Sequence, residues 1–201
     1  MAATATPYGL KPVNLIGGQP YAGSVRAIKI ASGYDTNIFN GSIVSIVAGG
    51  TIEIVTTNGD NSTTFPAGTI GVFVGCEYTD PNLGYKLDSQ YWPADTVASD
   101  AMAFVVDDPS CLFMAQANGA VTQADLGQNT HLAAVQSTST GSTVTGNSTS
   151  ALTATTNTTA TWAFRIVDFV ESTSSTVGDA YTDLIVKFNP SQHSYTNQTG
   201  I

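Results

Sequence analysis

Carboxylates are the side chains most able to do chemistry in this chain, and Asp107-Asp108 followed by Pro109 is their tightest grouping. Adjacent carboxylates at a strand end can offer oxygen ligands to calcium, which takes about six to eight of them. The same triplet also has the composition of a turn, in which an Asp side chain bonds nearby backbone and Pro fixes φ. The turn is the preferred reading. Asp95 with Asp100 and Asp80 with Asp88 are looser pairs. A glycosidase would need two carboxyl groups set roughly 5 to 10 Å apart in a cleft, and nothing in the spacing fixes that.

Other reactive groups are few. His131 opens an apolar run and His193 lies near the C-terminal end, neither within a recognisable motif. Cys76 follows Gly71-Val72-Phe73-Val74-Gly75 and Cys111 precedes Leu112-Phe113-Met114, so both read as buried small hydrophobes, with a disulfide between neighbouring strands as the alternative. The chain lacks a nucleophile elbow, a zinc-binding His-Glu-x-x-His, a phosphate-binding loop and a dinucleotide fingerprint. The expectation is a protein without catalytic residues, cofactor or metal centre.

Between Asp80 and Ala94 the aromatics Tyr85, Tyr91 and Trp92 alternate with turn formers. Such rings need apolar cover. Three readings stay open: a loop packed on its own body, an interface anchor, since Tyr and Trp are enriched in interface cores, or a platform for stacking a sugar.

Only 10% of residues are charged, against about a quarter in an ordinary soluble domain. Six Lys and Arg face 15 Asp and Glu, for a formal charge of −9. That balance leaves little with which to neutralise phosphates, so nucleic acid is not expected as a direct partner. The first residues, Met1-Ala2-Ala3-Thr4-Ala5-Thr6, have neither a basic nor an apolar leader segment, and no run of 18 apolar residues occurs. Synthesis in a cytoplasm, without membrane insertion, is the corresponding expectation.

The elements that must position these residues are strands. Short runs rich in β-branched and aromatic residues recur between Gly, Asn, Asp and Pro turns, which predicts an all-β fold, a single β-barrel or β-sandwich of short antiparallel strands. Strands are expected at 24–30, 42–47, 51–56, 69–78, 101–107, 112–116, 131–136, 161–170 and 180–188. Gly49-Gly50 suits a tight hairpin turn joining the second and third of these. Val121 to Gly127 is the one stretch that reads as a helical turn, with Thr122 at its start and Gly127 at its end.

Residues 1–23 hold apolar side chains without a helical or strand period, and Pro7, Pro12 and Pro20 interrupt them. They are predicted to form an extended N-terminal arm held by a partner, because ordering about 20 residues costs roughly 20 to 40 kcal/mol of backbone entropy. The body spans 24–190 and a tail 191–201. From Leu126 to Phe164 no charged residue occurs, and residues 137–160 read as a Ser/Thr-rich insertion projecting from the body as a long hairpin or loop. An uncharged Thr-rich edge is a pairing hazard unless covered.

Three segments carry a likeness: the run Tyr8-Gly9-Leu10-Lys11-Pro12-Val13-Asn14-Leu15-Ile16-Gly17-Gly18; the loop Ser89-Gln90-Tyr91-Trp92-Pro93 with 101–109 beyond it; and the ending Leu184-Ile185-Val186-Lys187-Phe188-Asn189-Pro190. Together they resemble the head decoration, or cement, proteins of tailed bacteriophages. The resemblance implies a β-rich body on the capsid exterior of the virion, commonly a homotrimer, with an extended terminus gripping the major capsid protein. The Ser/Thr-rich insertion has no counterpart in that likeness.

On this reading Tyr8, Leu10, Val13, Leu15 and Ile16 are the arm contacts and Tyr91 and Trp92 the loop contacts, and deleting residues 1–20 should leave a folded body. A phage tail or connector protein is the first alternative. A carbohydrate-binding β-sandwich using Tyr85, Tyr91 or Trp92 is the second.

Overall fold

The β-branched and aromatic runs become thirteen strands in a computed structural model that describes residues 4–173 and 175–201. They are β1 (Lys11–Leu15), β2 (Arg26–Lys29), β3 (Ile38–Phe39), β4 (Ile43–Ile46), β5 (Ile52–Ile54), β6 (Thr69–Thr79), β7 (Lys86–Ser89), β8 (Tyr91–Trp92), β9 (Met102–Val106), β10 (Cys111–Gln116), β11 (Asn129–Thr130), β12 (Phe164–Phe169) and β13 (Asp183–Phe188). Every strand ladder among the described residues is antiparallel. The fold is all-β and sandwich-like, not a closed barrel.

A first sheet has the order β1-β10-β13-β12-β11, and a second has β2-β9-β6-β4-β5, with β7 extending β6. A small ribbon joins β3 to β8. The predicted hairpin around Gly49-Gly50 is β4-β5, with Val44 opposite Ile54 and Ile46 opposite Ile52.

The core has two parts. One fills the space between the sheets: Phe113, Phe164, Val186 and Phe188 of the first meet Ile43, Val72 and Val106 of the second. The other lies against the opposite face of the second sheet, where Val44, Ile52, Phe73 and Val105 surround Ile38 and Trp92 from the ribbon. One isolated bridge, Ile30 to Ile52, links the residue after β2 to β5. Burial on both faces explains why β6 reads as an almost continuous apolar run instead of alternating. The ladders of β6 are irregular next to Gly71 and Gly75. A Cβ on Gly71 would lie 2.0 Å from the Val106 carbonyl oxygen, so glycine is required there.

The N-terminal segment departs from expectation. Its holder is the chain's own body: Lys11–Leu15 pairs with β10 at the edge of the first sheet, and Leu10 is 1% exposed within the inter-sheet core. The missing period has two causes. An irregularity in the ladder between Pro12 and Asn14 shifts the register, and Pro12 is tolerated because this is an edge strand. Removing residues 1–20 therefore strips a strand and a core side chain from the body.

The Ser/Thr-rich segment also differs from the projecting loop expected. It lies along the body, with Leu152 fully buried and bridges from Asn147 to Asn40, from Leu152 to Ala117 and Leu132, and from Asn157 to Asn129. Small hydroxyl side chains permit this because their polar atoms find local partners; Ser148 Oγ donates to Ser150 Oγ at 3.0 Å. By pairing with Asn129, the segment covers the outer edge of β11.

The run 131–136 is not a strand. Gln136, fully buried, uses its side-chain amide as a peptide would: Oε1 accepts from the Ile43 N–H at 2.9 Å and Nε2 donates to the carbonyls of Ile43 and Val55. The helical turn shrinks to a 3₁₀ turn at Gln123–Asp125, with Gly127 at φ +82° beyond it. There Asp125 reaches back to accept from the N–H and hydroxyl of Thr122.

Candidate interaction surface

The residues singled out as contacts fall into three groups. Leu10 and Trp92 are enclosed by the protein itself, at 1% and 0% exposure, and present no surface to a partner. Tyr8, Val13, Leu15 and Tyr91 are half-buried. Leu15 packs on the inter-sheet core, Tyr8 Oη donates to Asp183 Oδ1 at 3.0 Å, and Tyr91 stacks on Phe39 with centroids 5.6 Å apart. Ile16 alone among them is well exposed, at 52%.

Trp92 is enclosed because its loop packs on its own body. Its Nε1 donates to the Tyr34 carbonyl at 3.3 Å, and its ring meets Tyr78 edge-on at 5.3 Å. The stretch Asp80–Ala94 thus holds the turn and second strand of the β6–β7 hairpin, followed by β8, which pairs with β3.

Ile16 borders a groove of about 330 Å³ on the first sheet, lined also by Arg165, Val167, Lys187, Phe188 and Pro190. Arg165 and Lys187 are direct cross-strand partners of β12 and β13, so their side chains share one face. Ile16 is fixed by its N–H, which donates to the Ser110 carbonyl at 2.9 Å.

A second groove, of about 450 Å³, lies where the β6–β7 turn meets the segment after β8, and Tyr78, Asp80, Asn82, Asp95 and Val97 are among its lining residues. Its walls are tightly built. Asp80 Oδ1 accepts from the N–H groups of Asn82 and Leu83 at 2.7 and 2.9 Å, and the Asp95 N–H donates to the Tyr34 carbonyl at 2.8 Å. Asp95 has φ +60°, the left-handed region that Asp tolerates better than most residues. Leu83, Tyr85 and Val97, each more than half exposed, belong to these two loops.

The reactive groups considered first serve structure. Asp107 pairs with Arg26 at 2.7 Å and accepts from Tyr195 Oη at 2.9 Å. Asp108 accepts from the Ser110 N–H at 2.7 Å, which is the turn geometry. Among the described residues no three His, Cys, Asp or Glu side chains converge as a metal site would need. Cys76 and Cys111 are free and buried in different core clusters, and burial, helped by nearby carboxylates, pushes both thiols up to about 12. His131 meets Trp162 edge-on at 4.7 Å. His193 is 1% exposed, and burial holds its imidazole below the usual histidine range.

No protein-family model, curated protein or solved structure matches the chain. The functional reading therefore rests on the surfaces. Sequence patterning places Arg165 and Lys187 on the outward face of their strands, but only the β12–β13 register brings them together. Gln136 gives no signal at all, because a buried amide that substitutes for a peptide has no motif.

Proposed function

We propose that the chain is a structural protein of a tailed-phage particle, bound to the capsid exterior, where it cements neighbouring copies of the major capsid protein. The observation that carries this reading is the placing of exposed apolar side chains at two grooves on different sheets. Val97 lines one, with Leu83 and Tyr85 exposed in the β6–β7 turn that forms part of its wall, and Ile16 lines the other. One rigid body with two adhesive faces can bridge two neighbours, and weak contacts repeated over a shell add through multivalency. The motif resemblance names the partner class.

The arm has a changed role in this proposal. Its root is a strand of the body, and Ile16 at the end of that strand is the contact it contributes. A homotrimer of the chain is the assembly that accompanies the reading. Capsids assembled without the chain should take it up to a fixed stoichiometry, and Tyr85→Ala with Val97→Ser should weaken uptake at least tenfold. Uptake unchanged by those substitutions would refute the contact assignment.

One observation favours a second reading, a carbohydrate-binding module. Asp80, Asn82 and Asp95 supply polar groups to one groove, and the exposed ring of Tyr85 lies in the adjoining β6–β7 turn. Trp92 has no part in it. Glycan-array binding that Tyr85→Ala abolishes would favour this reading over the capsid one.

A further inference from the structure

Arg165 and Lys187 face each other across β12 and β13, and like charges placed directly opposite destabilise a sheet. The chain has fifteen acidic residues, yet among the described residues none forms an ion pair with either: the ion pairs there are Arg26 with Asp107 and Lys86 with Glu77. Arg165 directs its Nε to the Asn129 side-chain oxygen at 3.3 Å, a neutral partner. Lys11, elsewhere on the first sheet, lies over the Tyr8 ring at 4.4 Å. The pair lines the 330 Å³ groove together with Ile16, Val167, Phe188 and Pro190. Two cations without an ion-pair partner thus stand beside an apolar wall on a protein of net charge −9.

We propose that this groove binds an extended, carboxylate-bearing segment of a partner protein, its acidic side chain between Arg165 and Lys187 and an adjacent apolar side chain against Ile16 and Pro190. The assignment deepens the reading of this face as an adhesive surface and does not depend on the partner being a capsid protein. Charge complementarity selects the sign of the ligand. The guanidinium fork matches a carboxylate in two parallel hydrogen bonds. The apolar wall selects a peptide over a polyphosphate, which would also meet long-range repulsion from the rest of an acidic chain.

The test uses the full chain, isotopically labelled, titrated at about 0.1 M salt with the blocked hexapeptide acetyl-Leu-Glu-Leu-Glu-Leu-Glu-amide, its Gln counterpart and inorganic phosphate. The expected result is shift perturbation confined to residues near 16, 165–167 and 187–190, with binding about tenfold weaker for the Gln peptide. Arg165→Gln and Lys187→Gln should each reduce affinity at least fivefold. A second measurement keeps the proposal testable if those variants are unstable: Lys187→Glu, which supplies the missing carboxylate in cis, should raise the thermal midpoint and abolish peptide binding. Equal binding of the Glu and Gln peptides, perturbation elsewhere on the surface, or phosphate binding as strong as the Glu peptide would overturn it. Loss of capsid uptake with intact peptide binding would count against the capsid reading alone.

Discussion

Tyr8 donates its hydroxyl to Asp183 across 175 residues of sequence, at 3.0 Å, and ties the N-terminal segment to the last strand of the first sheet. Burial, reinforced by the Asp183 carboxylate, holds the phenol protonated well above the usual tyrosine range. Tyr8→Phe should cost about 1 to 2 kcal/mol by chemical denaturation. Above pH 10 the unfolded chain releases the Tyr8 proton while the folded chain keeps it, so the stability from this bond is present below pH 10 and falls as pH rises. The two buried thiols add to that loss from about pH 9. An alkaline titration of the unfolding midpoint should therefore be shallower in Tyr8→Phe than in the parent.

Leu10 and Gly9 test whether the N-terminal segment belongs to the body. Leu10→Ala should destabilise by about 2 to 5 kcal/mol. Gly9 has φ +73°, and a Cβ there would lie 2.7 Å from the Gly41 carbonyl oxygen and from Ser148 Cβ, so Gly9→Ala should also destabilise. A truncation of residues 1–20 with unchanged stability would contradict the placement of β1.

Much of the fold was legible because strand-forming runs and turn residues are local signals. The β4-β5 hairpin could be read from Gly49-Gly50, and the all-β class from the spacing of apolar runs. What stayed hidden was long-range. The irregular register near Val13 erased the period of β1, and β6 gave no alternation because both of its faces are covered. Trp92 looked like a surface anchor because a ring in a turn-rich loop carries the same local signature whether it faces a partner or folds inward against Tyr78. Of the contact residues, Ile16 kept its exposure, while the Arg165–Lys187 pair needed the sheet register to be seen.

Trp92→Ala should act on stability rather than binding, costing about 3 to 5 kcal/mol, whereas Tyr85→Ala should change stability by less than about 0.5 kcal/mol. Paired denaturation curves check both. A stable Trp92→Ala would show that the ring lies outside the core.

Acid should loosen the C-terminal segment first. His193 Nδ1 accepts from the Tyr195 N–H at 3.2 Å, and the Ser194 N–H donates to the Thr69 carbonyl at 2.6 Å. The charged groups near enough to act on the imidazole are Asp107, Asp108 and Lys187, and Arg26 lies over the Tyr195 ring. Because the folded-state pKa is depressed, the unfolded chain binds the proton first as pH falls below about 6.5, and stability present above that pH is lost. Amide protection factors at residues 192–197, taken relative to the intrinsic exchange rate at each pH, should fall below pH 6 in the parent, and His193→Gln should remove that fall.

The central claim is that one β-sandwich bridges two capsid subunits through the two grooves, and the direct measurement is a high-resolution image of the assembled particle. The account predicts density for this chain on the capsid exterior, with Ile16 and the Arg165–Lys187 groove against one subunit and the loops bearing Tyr85 and Val97 against another. Density confined to the tail or connector, or on the capsid with both grooves open to solvent, would contradict it.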